Sequence, residues 1–274
     1  MTFNRHETPR AAWGSFIPVI SFAGNSLAVA EVELRKVLRD PVELFSRAVQ
    51  PVLWLVIFGQ VFSRVRGILT GDQSYLDYMS PGILAQSVLF SAIFYGIAVI
   101  WERDLGIIHK LLVSPASRGA LVFGKAVAAG FRGIVQAAII YLIAAALHIS
   151  IRWEPPAMLG VLCAIMAGSA IFSSFSLIIA CLVKTRERFM GIGQVLTMPL
   201  FFASNAIYPL EMMPGWLRAI ARANPLTYLV DALRGLMIRG GQHVHPLSVD
   251  FGVMALFFLL MAVIAAKLYP TLVQ

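Results

Sequence analysis

Six long apolar runs punctuate the chain, each closed by charges, prolines or aromatic rings. They cover about 44–62, 82–101, 133–151, 157–183, 189–210 and 251–267. A helix needs roughly 20 apolar residues to cross a bilayer core, and the second and fourth runs carry no charged side chain. The pattern predicts an all-α polytopic membrane protein with six transmembrane helices within residues 44–274. Residues 27–39 show a different pattern. Leu27, Ala30, Leu34, Val37 and Leu38 recur at helical spacing, while Glu31, Arg35, Lys36 and Arg39 fall largely on the other side. This predicts an N-terminal amphipathic helix lying in the membrane interface, with packing on a soluble partner as the alternative. Asp40-Pro41-Val42-Glu43 then offers an N-cap, a proline at the first helical position and a capping-box acid. It ends an N-terminal segment, 1–43, and starts the first crossing.

Composition narrows the class. The 274 residues are 59% hydrophobic and 13% charged, with mean hydropathy +0.79. Soluble domains run near ~45–50% apolar and ~25% charged, so lipid is the solvent for most of this chain. Secreted disulfide scaffolds, disordered chains and ordinary cytosolic enzymes are excluded. Arg5, Arg10, the apolar stretch after them and Ala28-Val29-Ala30 imitate a signal peptide. Pro18, Gly24, Asn25 and Ser26 interrupt its would-be core, and the segment reads as retained.

The net charge of +8 orients the chain rather than binding nucleic acid. With the N-terminus inside, fifteen of the 22 lysines and arginines lie in cytoplasmic segments and seven outside. Six spans then put both termini in the cytoplasm. Four of those seven lie in 206–249, a stretch broken by prolines and glycines. Tyr208-Pro209, Pro214-Gly215-Trp216, Asn224-Pro225 and Tyr228 mark short pieces with interface-loving rings. They predict re-entrant outer helices between spans five and six.

Candidate chemistry is sparse. Gly119 to Ala126 almost spells a phosphate-binding loop but lacks the Ser or Thr that would hold Mg²⁺, and no strand precedes it. Lys125 reads as a cytoplasmic-end anchor. His243 and His245 lie near Asp250 without a visible ligand set for a metal, so a solvated loop is expected and no metal site. His148 reads as an interface residue. Cys163 and Cys181 are ~27 Å apart if on one helix, beyond disulfide reach. None of the 14 acidic residues lies mid-run, which disfavours an ion-driven carrier. A passive channel stays open.

The most informative stretch is 101–115. Leu105, Ile108 and Leu112 form an apolar stripe beside Glu102, Arg103 and Asp104, and Ser114-Pro115 ends it. Such a helix can dock in a groove on a soluble partner or rest on the membrane surface. Glu102-Arg103-Asp104, Gly106, Leu111-Leu112-Val113-Ser114-Pro115 and Gly124-Lys125, with Tyr208-Pro209-Leu210-Glu211-Met212-Met213-Pro214, Asn224-Pro225-Leu226-Thr227-Tyr228 and Asp231-Ala232-Leu233-Arg234, resemble the type-2 ABC exporter permeases. The group they resemble most is that of the daunorubicin-resistance and nodulation-factor exporters. Leu105 departs from a position that is often polar there.

That resemblance implies that 102–115 couples to a separate ATPase subunit. Two permeases, the second a copy or a homologue, and two ATPases would make one exporter. It also implies an interfacial helix, carrying Arg35, Lys36 and Arg39, and the re-entrant outer segment. The expectation is a non-enzymatic subunit of the bacterial cytoplasmic membrane that binds no cofactor itself. ATP and Mg²⁺ would sit on the ATPase. The cargo would be a drug, a lipid or a lipid-linked glycan, with a secondary carrier or channel as the rival reading.

Overall fold

The computed structural model describes residues 17–39, 41–62, 74–113 and 116–273. Those residues are almost wholly helical, and no strand forms among them beyond one bridge between Ile151 and Ile238. In chain order the helices are α1 (Ile17–Arg39), α2 (Pro41–Leu53), a π-helical turn (Trp54–Phe58), α3 (Gly59–Phe62), α4 (Tyr75–Phe94), α5 (Gly96–Asp104) and α6 (Ile107–Val113). Then come α7 (Arg118–Ala146), α8 (Pro155–Leu182), α9 (Arg186–Phe202), a 3₁₀ turn (Leu210–Met212), α10 (Gly215–Ala223), α11 (Pro225–Met237) and α12 (Leu247–Leu268).

Local chemistry sets the boundaries. The side chains of Ser74, Ser117, Thr185 and Asn224 accept hydrogen bonds from Asp77, Ala120, Arg188 and Leu226 backbone N–H groups and so cap α4, α7, α9 and α11. Pro155 and Pro225 open α8 and α11, where a missing N–H costs nothing. Between α4 and α5 the Ser176 hydroxyl accepts from Gly96 N–H at 3.0 Å and donates to the Ile93 carbonyl. A side chain inserted into the helical ladder in this way bends it.

Four helical runs among the described residues are long and apolar enough to cross a bilayer: Tyr75–Asp104, Arg118–Ala146, Pro155–Leu182 and Leu247–Leu272. The chain is a multi-pass membrane protein. Tyr75–Asp104 is the central run, its Met79, Ile83, Leu84, Val88, Leu89 and Ile93 fully buried against α7, α8 and α11. The Leu247–Leu272 run is peripheral, with Leu256, Leu259, Leu260 and Val263 exposed, a surface suited to lipid rather than water.

Several boundaries differ from those the sequence suggests. The first and fifth expected crossings are shorter or interrupted. Pro41–Phe62 holds the π turn three residues after Pro51, whose ring removes a backbone donor, and α9 has 17 residues with Pro199 inside. The expected cap Asp40 lies outside the described residues. α7 starts at Arg118, not near 133, so Lys125 and Arg132 lie inside a long helix instead of a loop. α1 reaches back to Ile17 and passes through Gly24, Asn25 and Ser26. The Ser26 hydroxyl bonds Phe22 O at 2.8 Å within the same helix.

Without a hydrophobic force between helices in lipid, close approach through small residues drives packing. α1 lies along α7 in this way. A Cβ on Gly124 would stand 2.6 Å from Ser26 O and 2.7 Å from Val29 Cβ. Gly191, in α9, has open space around it. The same substitution should therefore act with opposite sign at the two positions. Gly124→Ala should lower stability by about 1–3 kcal/mol through overpacking. Gly191→Ala should raise it by up to about 1 kcal/mol through helix propensity. Thermal unfolding in detergent reads both.

Candidate functional site

The expected coupling stretch begins on the last turn of α5 and divides there in two directions. Glu102 turns inward and is buried. Its two oxygens bond Lys36 Nζ at 2.6 Å and Lys125 Nζ at 2.7 Å. Glu33 Oε1 closes the ring, at 3.1 Å from Lys36 Nζ and 3.2 Å from Lys125 Nζ. Two carboxylates and two ammonium groups thus join α1, α5 and α7. The Tyr95 ring lies 5.5 Å from Lys125 Nζ and 4.3 Å from the Arg132 guanidinium, a cation–π support for charges that lack water. Burial opposes ionisation of Glu33, but the Lys125 and Lys36 ammonium groups outweigh it and hold its carboxyl at about 2.

Arg103 and Asp104 point the other way. Arg103 donates to Val183 O at 3.2 Å and Lys184 O at 2.5 Å. Asp104 accepts from Arg103 and, at 2.9 Å, from Arg186. The Arg186 guanidinium lies 3.4 Å from the Trp101 ring centre. The end of α5 is therefore tied to α1 and α7 on one side and to the α8–α9 turn on the other.

Gly106 has φ +70°, a conformation that favours glycine, and it separates α5 from α6. This break overturns the expected stripe of Leu105, Ile108 and Leu112, because residues on either side no longer share one helical face. Leu105 is 67% exposed and Ile108 fully buried. Leu111 and Leu112 pack partly against the cluster around Ile108. Val113 is exposed, and Ser114 and Pro115 lie outside the described residues.

Two further expectations change. Lys125 is not an exposed anchor but a buried partner of two carboxylates. Glu102 does not face outward: it is buried and paired with Lys36 and Lys125. On α1, Lys36 joins the buried ring, while Arg35 pairs in the open with Glu31 and Arg39 is exposed. Glu33 had no place in the sequence pattern, although it follows Ala30 by three residues and so shares its buried stripe. Its partner Lys125 lies 92 positions away.

The second set of expected residues gathers at the Tyr75 end of the bundle. Asn224 is buried and donates to Leu200 O at 2.7 Å and Ala203 O at 2.8 Å, pinning the α10–α11 corner to the end of α9. Tyr208 donates to Phe202 O at 2.5 Å and Tyr228 to Arg222 O at 2.8 Å. Pro209 precedes the 3₁₀ turn, Pro214 precedes α10 and Pro225 opens α11. Trp216 is exposed on α10. Two apolar grooves of about 600 and 530 Å³ flank this segment and share Phe202, Tyr208 and Leu217. His243 is exposed, but His245 is half-buried against Asp231 rather than solvated.

Residues 26–238 match the ABC-2 type transporter family. The chain is 31% identical to the putative transport permease ycf38 of Cyanophora paradoxa over 72% of this chain and 69% of that protein. It is 28% identical to the daunorubicin resistance ABC transporter permease protein DrrB1 of Streptomyces coeruleorubidus, over 72% and 69%. Nodulation protein J of Rhizobium meliloti is 24% identical over 90% of this chain and 92% of its own length.

The buried ring sets two expected outcomes. Lys125→Met leaves two buried carboxylates short of a partner and should cost about 3–5 kcal/mol, whereas Arg35→Ala should cost at most about 1 kcal/mol, both read by unfolding in detergent. The second concerns acid. The carboxyl of Glu33 falls from its ordinary value of 4.5 to about 2 on folding. Its stabilising contribution is complete above 4.5 and is lost as pH drops toward 2. Glu33→Gln should flatten that limb of a pH–stability profile, and an unchanged acid limb would contradict the pairing.

Proposed function

Since the chain belongs to the ABC-2 type transporter family, we propose that it is the membrane-spanning half of an ATP-driven exporter that works with a separate ATPase subunit. The observation that carries the coupling is the end of α5. Two sets of charges lock it to α1, α7 and the α8–α9 turn, while Leu105 and Val113 stand exposed beside it. A partner that pushed on this edge would move several helices at once. ATP and Mg²⁺ belong on that partner. The near-match to a phosphate loop lies within α7, where Gly119 and Gly124 face Phe22 and Ser26 of α1.

The proposed assembly has two such permeases, identical or homologous, and two ATPases in a bacterial cytoplasmic membrane. Six crossings fit if Pro41–Phe62 and α9 supply the remaining two. At 1.5 Å per residue they extend about 33 and 25 Å, and Phe45, Val49, Leu53, Val61 and Val195 expose apolar surface along them. The 3₁₀ turn, α10 and α11 then form the re-entrant outer segment, and both termini are cytoplasmic. The two apolar grooves support a cargo with a substantial apolar part: a drug, a lipid or a lipid-linked glycan. At the α5 end the buried acids Glu33 and Glu102 are held by two lysines and leave no free carboxylate there for an ion-driven carrier; a carrier or channel needing no ATPase is the alternative reading.

In a variant lacking Cys163 and Cys181, cysteines at Ser74 and Gln242 should react with an impermeant thiol reagent from outside, and one at Arg186 should not. Labelling at Arg186 in intact cells would overturn this topology. Leu105→Asp should weaken association with the ATPase at least tenfold and reduce export, with the permease still folded because the residue is exposed. Native association and export would place the docking surface elsewhere.

A further inference from the structure

We infer that Asp231, His245 and Asp250 form a divalent-cation site, best suited to Zn²⁺, at the Tyr75 end of the bundle. This inference is independent of the exporter reading. The three residues come from different elements: α11, the connection after it, and the first turn of α12. One ligand atom from each lies within 4.8 Å of the others.

The connection is wrapped around Asp231. Val244 N–H donates to its two oxygens at 2.8 and 3.0 Å, and His245 N–H donates to Oδ2 at 2.8 Å. These bonds hold the His245 ring, whose Nδ1 lies 3.2 Å from Asp231 Oδ2 and 3.9 Å from Asp250 Oδ1. The ring also lies beside Tyr228, 5.4 Å between centroids.

Asp250 is fully buried, and neither of its carboxylate oxygens has a hydrogen-bond partner among the described residues. Asp231 is fully buried too. A protonated imidazole could balance only one of the two carboxylates. Arg234, three residues after Asp231 on α11, sends its Nη2 to Asn205 O at 2.7 Å and lays its guanidinium over Tyr78 at 3.9 Å; among the described residues only His245 pairs with either carboxylate. Buried carboxylates without a counter-charge carry a large desolvation penalty. A divalent cation with a neutral imidazole cancels both charges.

Tetrahedral Zn²⁺ with bonds of 2.0–2.2 Å places its ligand atoms about 3.3 Å apart. His245 Nδ1 lies 3.2 and 3.9 Å from the two carboxylates, and all three ligand atoms lie within 4.8 Å of one another, so a small inward closure would complete the set. One imidazole with two carboxylates suits Zn²⁺ better than the all-oxygen ions Ca²⁺ and Mg²⁺. Water would take the fourth position through the opening where the His245 side chain is 29% exposed. A bound ion would clamp α11, the 238–246 connection and α12 together.

The test uses the untagged full-length permease in detergent, stripped with EDTA, reloaded with Zn²⁺ and desalted. Elemental analysis should find about one Zn²⁺ per chain, with a rise in unfolding temperature. Asp250→Asn and His245→Ala should lose both, while His109→Ala, exposed on α6, keeps them. In EDTA, Asp250→Asn should unfold no lower than the native chain, which shows that the variant folds and that the carboxylate is a burden without metal. If the native chain retains no more Zn²⁺ than His245→Ala and its unfolding temperature does not move, the site is a carboxylate pair balanced by protons and the proposal fails.

Discussion

The ring of Glu33, Lys36, Glu102 and Lys125 is the contact on which the rest of the arrangement depends. Each carboxylate meets both ammonium groups, between 2.6 and 3.2 Å. Three of the four side chains are almost wholly buried. The ring is neutral as a unit and poorly tolerant of losing a member, since a buried charge left alone costs more than the pair gains. α1 therefore cannot leave α5 and α7 without breaking two of the four contacts, Lys36–Glu102 and Lys125–Glu33, and α5 cannot move without drawing on both lysines. An amphipathic helix that could have been a loose surface element is thereby made part of the bundle.

The opposite side of α5 is held by softer means. Asp104 and Arg186 are each about one-third exposed, and such pairs are worth little singly. Their effect here lies in geometry: Arg103 reaches the Val183 and Lys184 carbonyls, and Arg186 stacks on Trp101. One side of the α5 end is thus firmly fixed and the other adjustable. Gly106 lets α6 turn away between them, with Ile108 seated among Val99, Leu121, Leu177 and Phe189. A push on α6 would reach both sides through this cluster, which holds residues of α5, α7, α8 and α9.

The legible parts of the fold were those set by local signals. The uninterrupted apolar run at 157–183 became α8, Pro155–Leu182, almost to the residue, because nothing within it competes with helix or lipid. The start of α7 was illegible for the opposite reason. Lys125 and Arg132 look like loop charges until their neighbours are known: Glu33 and Glu102 for one, Tyr95 for the other. Glu33 carried a faint local signal, its place on the Ala30 stripe, but its partners are distant in sequence. Asp231 likewise stood in a recognisable motif without a role until the chain after α11 folded back on it. The Leu105, Ile108 and Leu112 stripe misled because helical spacing presumes a continuous helix, and the positive φ of Gly106 ends it.

The central claim is that α5 transmits force through its buried charge, and Glu102→Gln tests it most directly. The amide keeps the shape of the side chain and removes the charge facing Lys36 and Lys125. The quantity to measure is cargo exported per ATP hydrolysed by the permease reconstituted with its ATPase. The account predicts that the variant still associates with the ATPase and supports hydrolysis, because Glu102 is buried away from the docking edge, while export per ATP falls at least tenfold. A native ratio, with the variant inserted at native level, would contradict it.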